Sequence, residues 1–353
     1  MKLELRRVTL ETAGARHARR AWPERECLLL RYTDADGVAG VGEASPLPGY
    51  SRDEPDRVEA ALHELDPSAV ATALDQPSVR ATLSALARLV PESLPSARMA
   101  LETAGLDWLG QRRGVSACAL LGAAHDARRP LAALVGSAGA ENLGALCDQA
   151  RGDGYRHLKL KLGEAGRLTA ELAAVVALRE RLGRGVELRV DANGSLTASE
   201  VERAWTELGA LELELFEEPG EIPAHLAGAL PLGLDESLQG LREAEAEGLL
   251  RLRKARCLVL KPMALGGIEH CLRLAERARS VGARVVVSHC FDGPFAWRAT
   301  AALALALPAG AAHGLAPHAG LAAWPSAPLP VREAVLECWS APGLGAPADP
   351  GFS

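Results

Sequence analysis

From Leu131 onward, short apolar segments alternate with longer amphipathic stretches. Eight apolar segments begin at positions 131, 157, 186, 211, 232, 257, 284 and 311, so successive starts lie roughly 21 to 29 residues apart. The stretches between them have helical spacing: in GGIEHCLRLAERARSVG (266–282), apolar residues recur every three or four positions. This alternation predicts βαβ units and a parallel sheet. Eight strands at near-constant spacing favour a closed (β/α) barrel over an open sheet, although the eighth segment, AAHGLAP (311–317), is also compatible with a loop.

The first 120 residues follow a different pattern. MKLELRRVTLETAG and CLLLRYTDADGVAGVGEASP predict antiparallel strands, and DADG (34–37) supplies the turn within the second stretch. Helical spacing follows at about 53–64 and again at about 96–112. These residues therefore predict an α+β module that precedes the barrel.

The end of the chain returns to strand-like spacing in LPVREAVLECW (329–339), which we expect to pack back on the first module. We predict an α+β capping domain over residues 1–120, with residues 325–353 returning to it. The barrel domain is predicted over residues 121–324.

Composition and charge exclude several classes of function. Hydrophobic residues make up 48% of the chain and charged residues 24%, and the formal net charge is −6, with no basic run. That balance disfavours nucleic-acid partners. The first residues lack the apolar run of a signal peptide, and the longest apolar run (299–312) contains Pro308 and is too short to span a bilayer. Seven scattered cysteines without a CxxC pair suit a reducing cytosol. We therefore expect a cytoplasmic protein without a membrane partner.

Charged side chains follow or line almost every predicted barrel strand. Because functional groups of a (β/α) barrel lie at the carboxyl ends of its strands, these positions form one candidate site. The strand HLKLKLG (157–163) places two lysines on one face, where their ammonium groups repel each other. The candidates, in chain order, are Lys159, Lys161, Asp191, Glu217, Asp235, Lys261, Ser288 and His289.

The residue types at these strand ends indicate a metal-assisted proton transfer. Three carboxylates on consecutive strands repel one another unless a cation lies among them, and hard oxygen ligands favour Mg²⁺. Lysines flank this trio on the second and sixth strands. Neighbouring positive charges lower a lysine pKa from about 10.4 toward about 7–8, where the amine acts as a general base.

The order Lys-x-Lys, Asp-x-Asn, Glu-Glu-Pro, Asp-Glu-Ser and Lys-Pro resembles the enolase superfamily, in its muconate-lactonising branch. The resemblance implies a modified (β/α)8-type barrel, (β/α)7β, that carries an α+β capping domain. Within that branch, five stretches resemble the o-succinylbenzoate synthases of menaquinone biosynthesis. They are GEASPLPGYS (42–51), SARMALETAGLDWLG (96–110), FEEP (216–219), LDESL (234–238) and VLKPMALGG (259–267).

The resemblance also assigns roles by motif. Asp191, Glu217 and Asp235 would bind Mg²⁺, or Mn²⁺ in its place. Lys161 would be the acid/base, Lys261 would stabilise the enediolate from the opposite side, and Lys159 would tune Lys161. Substrate contacts are expected from the capping loop, from the residue after the third strand, and from the end of the seventh strand; these are Pro48, Gly49, Tyr50, Ser51, Asn193, Ser288 and His289.

The implied reaction is the Mg²⁺-dependent loss of water from 2-succinyl-6-hydroxy-2,4-cyclohexadiene-1-carboxylate, which yields 2-succinylbenzoate. The partner is then a small carboxylate, and whether the chain forms a homo-oligomer stays open. An N-acylamino acid racemase or a dipeptide epimerase would use the same two lysines. Dipeptide epimerases have an Asp-x-Asp near the last strand, where this chain has AAHGLAPHAG. A barrel that only binds a ligand is disfavoured, because it has no reason to retain repelling charges in one cavity.

Each candidate also has a structural interpretation. A single acid at a strand end is commonly the N-cap of the next helix. Paired lysines commonly protect an exposed strand edge, but a strand inside a closed barrel has no edge. We assign Glu218 and Glu236 to supporting or capping roles. Single histidines near loops, such as His313 and His318, are more often structural than ligands.

Overall fold

The computed structural model describes residues 1–17, 20–321 and 329–345. Its first module opens with a three-stranded antiparallel sheet of β1 (Lys2–His17), β2 (Arg20–Thr33) and β3 (Ala39–Ala44). The predicted turn at 34–37 joins β2 to β3: the Asp34 carboxylate accepts the N–H groups of Asp36 and Val38, and Gly37 adopts a φ of +81°. A short polar turn with a left-handed glycine therefore sets this hairpin.

Five helices complete the first module. They are α1 (Pro55–His63), α2 (Pro67–Leu74), α3 (Val79–Ala87), α4 (Pro95–Arg113) and α5 (Ala117–Leu120). The long helix α4 packs directly on β3, where a Cβ on Gly42 would lie 2.0 Å from the Ala100 carbonyl oxygen. Glycine is required there because backbone meets backbone. The predicted helices over 53–64 and 96–112 are confirmed as α1 and α4.

The second module is built on a seven-stranded parallel sheet in the order β5 to β11. The strands are β5 (Ala132–Ser137), β6 (His157–Lys161), β7 (Glu187–Asp191), β8 (Leu215–Glu217), β9 (Leu232–Leu234), β10 (Cys257–Leu260) and β11 (Arg284–Val287). A short strand, β4 (Arg128–Pro130), precedes them. The outer helices are α6 (Leu143–Gly152), α7 (Leu168–Leu182), α8 (Ala198–Leu208), α9 (Glu243–Arg253), α10 (Pro262–Leu265), α11 (Ile268–Ser280) and α12 (Pro294–Ala306).

The eighth predicted segment closes the ring with two isolated bridges. His313 bridges Leu131, just before β5, and Gly314 bridges Ser288, just after β11. Backbone hydrogen bonds join both edges: the Ala132 N–H donates to the His313 carbonyl, and the Gly314 N–H donates to the Val287 carbonyl. The curled parallel sheet and the separate antiparallel module confirm the predicted modified barrel with an α+β cap.

The described part of the tail touches both modules. Strands β12 (Val331–Arg332) and β13 (Val335–Glu337) form a hairpin that pairs with β4, and the Gly343 carbonyl accepts the N–H of Ala117. The predicted domain boundaries stay predictions. Positions 322–328 and 346–353, which include parts of both predicted domains, lie outside the described residues. Within the described chain, every helix is too short or too polar to cross a bilayer.

Candidate active site

The register of the barrel strands brings the predicted lysines and acids together. On β6, Leu158 and Leu160 are fully buried, while Lys159 and Lys161 alternate with them and line the interior cavity. Parallel pairing then sets Lys161 beside Asp191 on β7, and Asp191 beside Glu217 on β8. Because side chains alternate between the two faces of a strand, the side chains of paired residues on neighbouring strands lie on the same face of the sheet, here the inner face.

Six of these residues form two ion-paired groups at the same end of the barrel, which together we call the carboxyl-end cluster: Lys159, Lys161, Asp191 and Glu217 in one group, and Asp235 and Lys261 in the other. On one side, the Lys159 ammonium lies 2.7 Å from Asp191 Oδ2 and 2.6 Å from Glu217 Oε1. Lys161 Nζ donates to Asp191 Oδ2 at 2.6 Å and to Asn193 Oδ1 at 2.9 Å. The two lysines therefore share one aspartate, but only Lys159 contacts two carboxylates.

On the other side of the mouth, Lys261 follows β10 and pairs with Asp235. Its ammonium also donates to the Tyr50 hydroxyl at 2.8 Å, and that hydroxyl donates to Asp235 Oδ1 at 3.1 Å. Lys261 Nζ lies 4.7 Å from the centre of the Tyr50 ring, a cation–π distance. A loop of the first module thus reaches into the barrel and contacts a predicted catalytic group.

Charge pairing dominates the electrostatics of this cluster. Burial alone would lower the pKa of Lys159, but attraction to Asp191 and Glu217 outweighs burial and raises it. Burial is likewise outweighed at Lys261, where Asp235 raises the pKa. Lys159 and Lys161 overcome the burial of Asp191 and hold its pKa below the ordinary range. The pKa values of Lys159 and Lys261 are raised, whereas the sequence predicts a lowered lysine pKa. The reason is that carboxylates lie within hydrogen-bonding distance of both amines.

The donor set is chemically suited to a hard divalent cation. Asp191, Glu217 and Asp235 are at most 2% exposed, lie on or just after adjacent strands, and offer only oxygen ligands. Among the described residues, no three acidic, imidazole or thiol side chains are arranged to hold a metal ion. Instead, ammonium groups supply the positive charge that these buried carboxylates need. A divalent cation would supply the same positive charge, so the three carboxylates fit a site for such a cation.

Two neighbouring acids hold this arrangement in place. Glu218 accepts the N–H groups of Asp235 and Ser237 at 2.7 and 2.8 Å, so it caps the turn that carries Asp235. Glu236 accepts from the Asn193 side chain at 2.8 Å, and the Asn193 N–H donates to Asp191. Asn193 and Glu218 both adopt positive φ angles, +46° and +37°. Such strained backbone persists where surrounding contacts determine it, as at many functional sites.

The cluster borders a cavity of about 780 Å³. Eight of the predicted site residues line it: Tyr50, Lys159, Lys161, Asn193, Glu217, Lys261, Ser288 and His289. Asp191 and Asp235 are buried and contact the lysines. The remaining three shape the capping loop: the Pro48 carbonyl accepts from Trp22 Nε1, Ser51 Oγ accepts the Leu47 N–H, and Gly49 has a φ of +74°.

The cavity also has an aromatic wall, of which only His289 was a predicted site residue. His289 stacks on His318 with ring centres 3.7 Å apart, and Phe291 contacts both rings and Trp22. Each histidine accepts a backbone N–H at Nδ1, from Phe291 and from Gly320 respectively. The ring proton of each is therefore on Nε2. Burial lowers the pKa of both imidazoles, that of His318 to about 3, so both are neutral donors.

The cavity residues that were not predicted differ in whether the sequence contains a signal for them. Phe291 and His318 directly follow the last two predicted strand segments, 284–290 and 311–317. Their position at strand ends therefore indicates that they belong to the site. Leu134, which lines the cavity with 45% of its surface exposed, pairs with Lys159 and shares its face. Trp22 comes from β2 of the first module, and no local pattern marks it.

Two family descriptions match the chain. Residues 4–122 match the mandelate racemase / muconate lactonizing enzyme N-terminal domain, and residues 142–351 match the enolase C-terminal domain-like family. Muconate cycloisomerase 1 of Pseudomonas putida is 28% identical over 288 residues, which are 78% of this chain and 74% of that protein. The o-succinylbenzoate synthase of Thermobifida fusca is 36% identical over 159 residues, 42% of this chain and 48% of that protein.

One solved structure of similar fold contains a bound metal ion. It is a dipeptide epimerase from Methylococcus capsulatus complexed with Mg and the dipeptide L-Arg-D-Lys. It superposes with a TM-score of 0.79 at 26% identity and covers 98% of both chains.

Proposed function

Because this chain belongs to the enolase superfamily, in its muconate-lactonising branch, we propose that it is a Mg²⁺-dependent o-succinylbenzoate synthase. The observation that carries the proposal is the placement of Lys161 and Lys261 on opposite sides of one cavity, next to three buried carboxylates. The substrate is 2-succinyl-6-hydroxy-2,4-cyclohexadiene-1-carboxylate. Asp191, Glu217 and Asp235 would hold the metal.

Lys161 is the better placed of the two β6 lysines to act as the base. Its ammonium contacts one carboxylate and one neutral amide oxygen, whereas Lys159 contacts two carboxylates. A proton leaves an amine more readily when fewer anionic partners stabilise the charged form. We therefore assign Lys161 as the base that takes the α-proton of the substrate, and Lys159 as the ammonium group beside it.

Lys261 and Lys161 complete the elimination from the two sides of the ring. The Lys261 ammonium donates to the enediolate that forms when the α-carbon loses its proton. When bound, Mg²⁺ supplies the charge that holds the substrate carboxylate. Lys161, now protonated, returns its proton to the departing hydroxyl, so that water leaves and the ring becomes aromatic. Atoms balance without an oxidant or a second substrate.

The aromatic wall favours an acyl side chain over a substrate amine. Its neutral imidazoles present N–H donors, and Ser288–Phe291 and Gly314–Ala319 contain no acid. A buried ammonium group requires an acidic partner, which these segments lack. The succinyl group, with its carbonyl and carboxylate oxygens, matches such donors. We assign Ser288 and His289 to this end of the substrate, and Tyr50 and Asn193 to the reacting end.

A direct comparison of substrates tests the proposal. Purified protein with Mg²⁺ is incubated with the cyclohexadiene substrate, with N-succinyl amino acids and with dipeptides, and kcat/KM is measured for each. The proposed function predicts the largest kcat/KM for loss of water from the cyclohexadiene. Racemisation of N-succinyl amino acids with the larger kcat/KM would instead identify a racemase.

The racemase is the second candidate, and the same two lysines favour it. A base on each side of the α-carbon removes a proton from one face and returns it to the other. N-Acylamino acids also carry an acyl group that suits the neutral histidines. Exchange of solvent deuterium into both enantiomers of an N-succinyl amino acid would reveal this activity.

A further inference from the structure

Glu102 of the first module lies on the N-terminus of a barrel helix. It is fully buried on α4, and its Oε2 accepts the N–H groups of Ile268 and Glu269 at 2.5 and 3.0 Å. These are the first two residues of α11. The first N–H groups of a helix have no partner within the helix, and a carboxylate there also interacts favourably with the helix dipole. Glu102 therefore caps α11 from another module.

Glu43 does the same for the next helix. It is fully buried near the end of β3, and its carboxylate accepts the N–H groups of Gly293, Phe295 and Ala296 at 2.5, 3.2 and 3.2 Å. These residues open α12. Ser45 also donates to this carboxylate. Burying a carboxylate is unfavourable unless donors surround it, and here the helix supplies three.

Both helices are built to receive these acids. Their own N-cap residues are Gly267 and Gly293, and neither helix has a side-chain cap from its own sequence. A Cβ on Gly267 would lie 2.6 to 2.8 Å from the Glu102 carboxyl group, and a Cβ on Gly293 would lie 2.7 to 2.9 Å from that of Glu43. The acid on one module and the glycine on the other are thus complementary parts of one contact.

These contacts lie close to the catalytic groups. Helix α11 follows β10 and Lys261, and α12 follows β11 and His289. Glu43 begins the loop that carries Tyr50, and Arg25 holds that loop by donating to the Ser45 and Pro46 carbonyls. The position of Tyr50 against Lys261 therefore depends on how the first module sits on α11 and α12.

We infer that Glu43 and Glu102 are positioning residues: by capping α12 and α11 across the module boundary, they hold the first module in register with the barrel and keep Tyr50 on Lys261. The inference goes beyond the proposed function and holds for any reaction in which Lys261 takes part. It depends on that proposal only for the choice of substrate in one of the two readouts below.

Amide hydrogen exchange tests the contact without any substrate. Glu102→Ala should speed exchange at residues 268–269, Glu43→Ala should speed it at Gly293, Phe295 and Ala296, and both should speed it at the non-proline residues of the capping loop, 45–53. Glu102→Gln keeps an acceptor and should restore slow exchange. Asp66→Ala is the matched control, because Asp66 caps α2 within the first module by accepting the Ser68 N–H at 2.9 Å. It should leave exchange in the capping loop unchanged.

A double mutant tests whether Glu43 and Gly293 act through one shared contact. Gly293 has a φ of −75° that alanine adopts without strain, so Gly293→Ala should act only through its clash with the Glu43 carboxylate. We expect Gly293→Ala to speed exchange in the capping loop as Glu43→Ala does. In Glu43→Ala the same glycine replacement should add little, because the clashing group is gone.

The kinetic readout uses the cyclohexadiene substrate. Glu43→Ala and Glu102→Ala should lower kcat/KM at least about tenfold, mainly through KM, whereas Asp66→Ala should not change KM. If both alanine variants lose thermal stability yet keep wild-type exchange in the capping loop and wild-type KM, the two acids only stabilise the fold and the inference is wrong. If the wild type fails to turn over this substrate, the proposed function fails, and hydrogen exchange still decides the inference.

Discussion

Two largely buried charge clusters lie along the same barrel strands, and they differ in the cations that they contain. The amino-end cluster consists of His157, Arg189 and Glu214. Arg189 donates to Glu214 through two nitrogens at 2.7 and 2.8 Å, and His157 lies 2.8 Å from the same carboxylate. The carboxyl-end cluster stands only two residues further along both β6 and β7. Its cations are lysines, and four of its members line the large cavity, which Arg189 of the amino-end cluster also lines.

The choice of cation explains the difference. The guanidinium of arginine stays charged and binds a carboxylate through a fixed fork, so the amino-end pair cannot easily change partners or give up a proton. Lysine is a compact charge on a flexible chain whose pKa responds to its surroundings. The barrel thus has arginine in the amino-end cluster, where the ion pair stays fixed, and lysine in the carboxyl-end cluster, where the proposed mechanism needs an amine that can exchange partners and protons.

The largest expected effect is the loss of turnover when a lysine of the carboxyl-end cluster is removed. Lys161→Ala and Lys261→Ala should each lower kcat by on the order of 10²–10⁴-fold, because in the proposed mechanism Lys161 moves the proton and Lys261 stabilises the enediolate. Circular dichroism and Tm should stay close to wild type. Lys2→Ala, at an exposed lysine of β1, is the control. Wild-type turnover in Lys161→Ala would rule out this lysine as the base.

The predicted metal ligands give the next effect. Asp191→Asn should weaken Mg²⁺ binding by more than the roughly 10–100-fold that loss of an outer partner of a metal ligand costs. Activity and calorimetric heat, each titrated against Mg²⁺, measure the change. Glu187→Gln is the matched control, since Glu187 lies at the exposed other end of the same strand. Identical titrations for wild type and Asp191→Asn would remove Asp191 from the ligand set.

The amino-end cluster should respond in stability and not in rate. Glu214→Gln leaves Arg189, which is 2% exposed, without its charged partner, and should cost about 3–5 kcal/mol of unfolding free energy. Although burial opposes it, hydrogen bonds from His157 and Arg189 lower the pKa of Glu214 to about 2. Urea unfolding measures the loss, while kcat of the folded variant should stay near wild type. A variant that keeps its stability but loses turnover would reverse the roles assigned to the two clusters.

The same pair predicts a pH dependence. The folded pKa of Glu214 lies below its unfolded value of about 4.3, so its contribution to stability is fully present above that value. It is lost as the pH falls through the folded pKa. Urea midpoints between pH 6 and pH 3 should therefore fall less steeply in Glu214→Gln than in wild type.

The parts of the fold and site that were predictable depend on local periodicity. Alternation in HLKLKLG placed Lys159 and Lys161 on one face, and the strand rhythm placed Asp191 and Glu217 at neighbouring ends. The eighth segment, 311–317, lacks a strand pattern for a physical reason: it pairs with its neighbours only through two isolated bridges, so its side chains need not alternate between two faces.

The unpredictable parts depend on contacts between distant segments. Helix caps are usually sought just before a helix, but α11 is capped by Glu102, more than one hundred and fifty positions earlier in the chain. The aromatic wall joins Trp22 of β2 to Phe291, beyond β11. The pairing of acids with lysines in the carboxyl-end cluster also follows from three-dimensional distances, which strand spacing does not contain.

The smallest expected effect is at Tyr50, which joins the first module to the carboxyl-end cluster. Tyr50→Phe keeps the ring beside Lys261 but removes the hydroxyl that bonds to Lys261 and Asp235. Loss of these bonds should lower kcat/KM about tenfold, since a net hydrogen bond contributes about 1 kcal/mol and bonds to charged groups contribute more. Tyr32→Phe is the control, because the Tyr32 hydroxyl donates at 3.3 Å to the Leu101 carbonyl inside the first module. If both variants keep wild-type kcat/KM, the Tyr50 hydroxyl does not help to place Lys261, and the lysine is held by Asp235 alone.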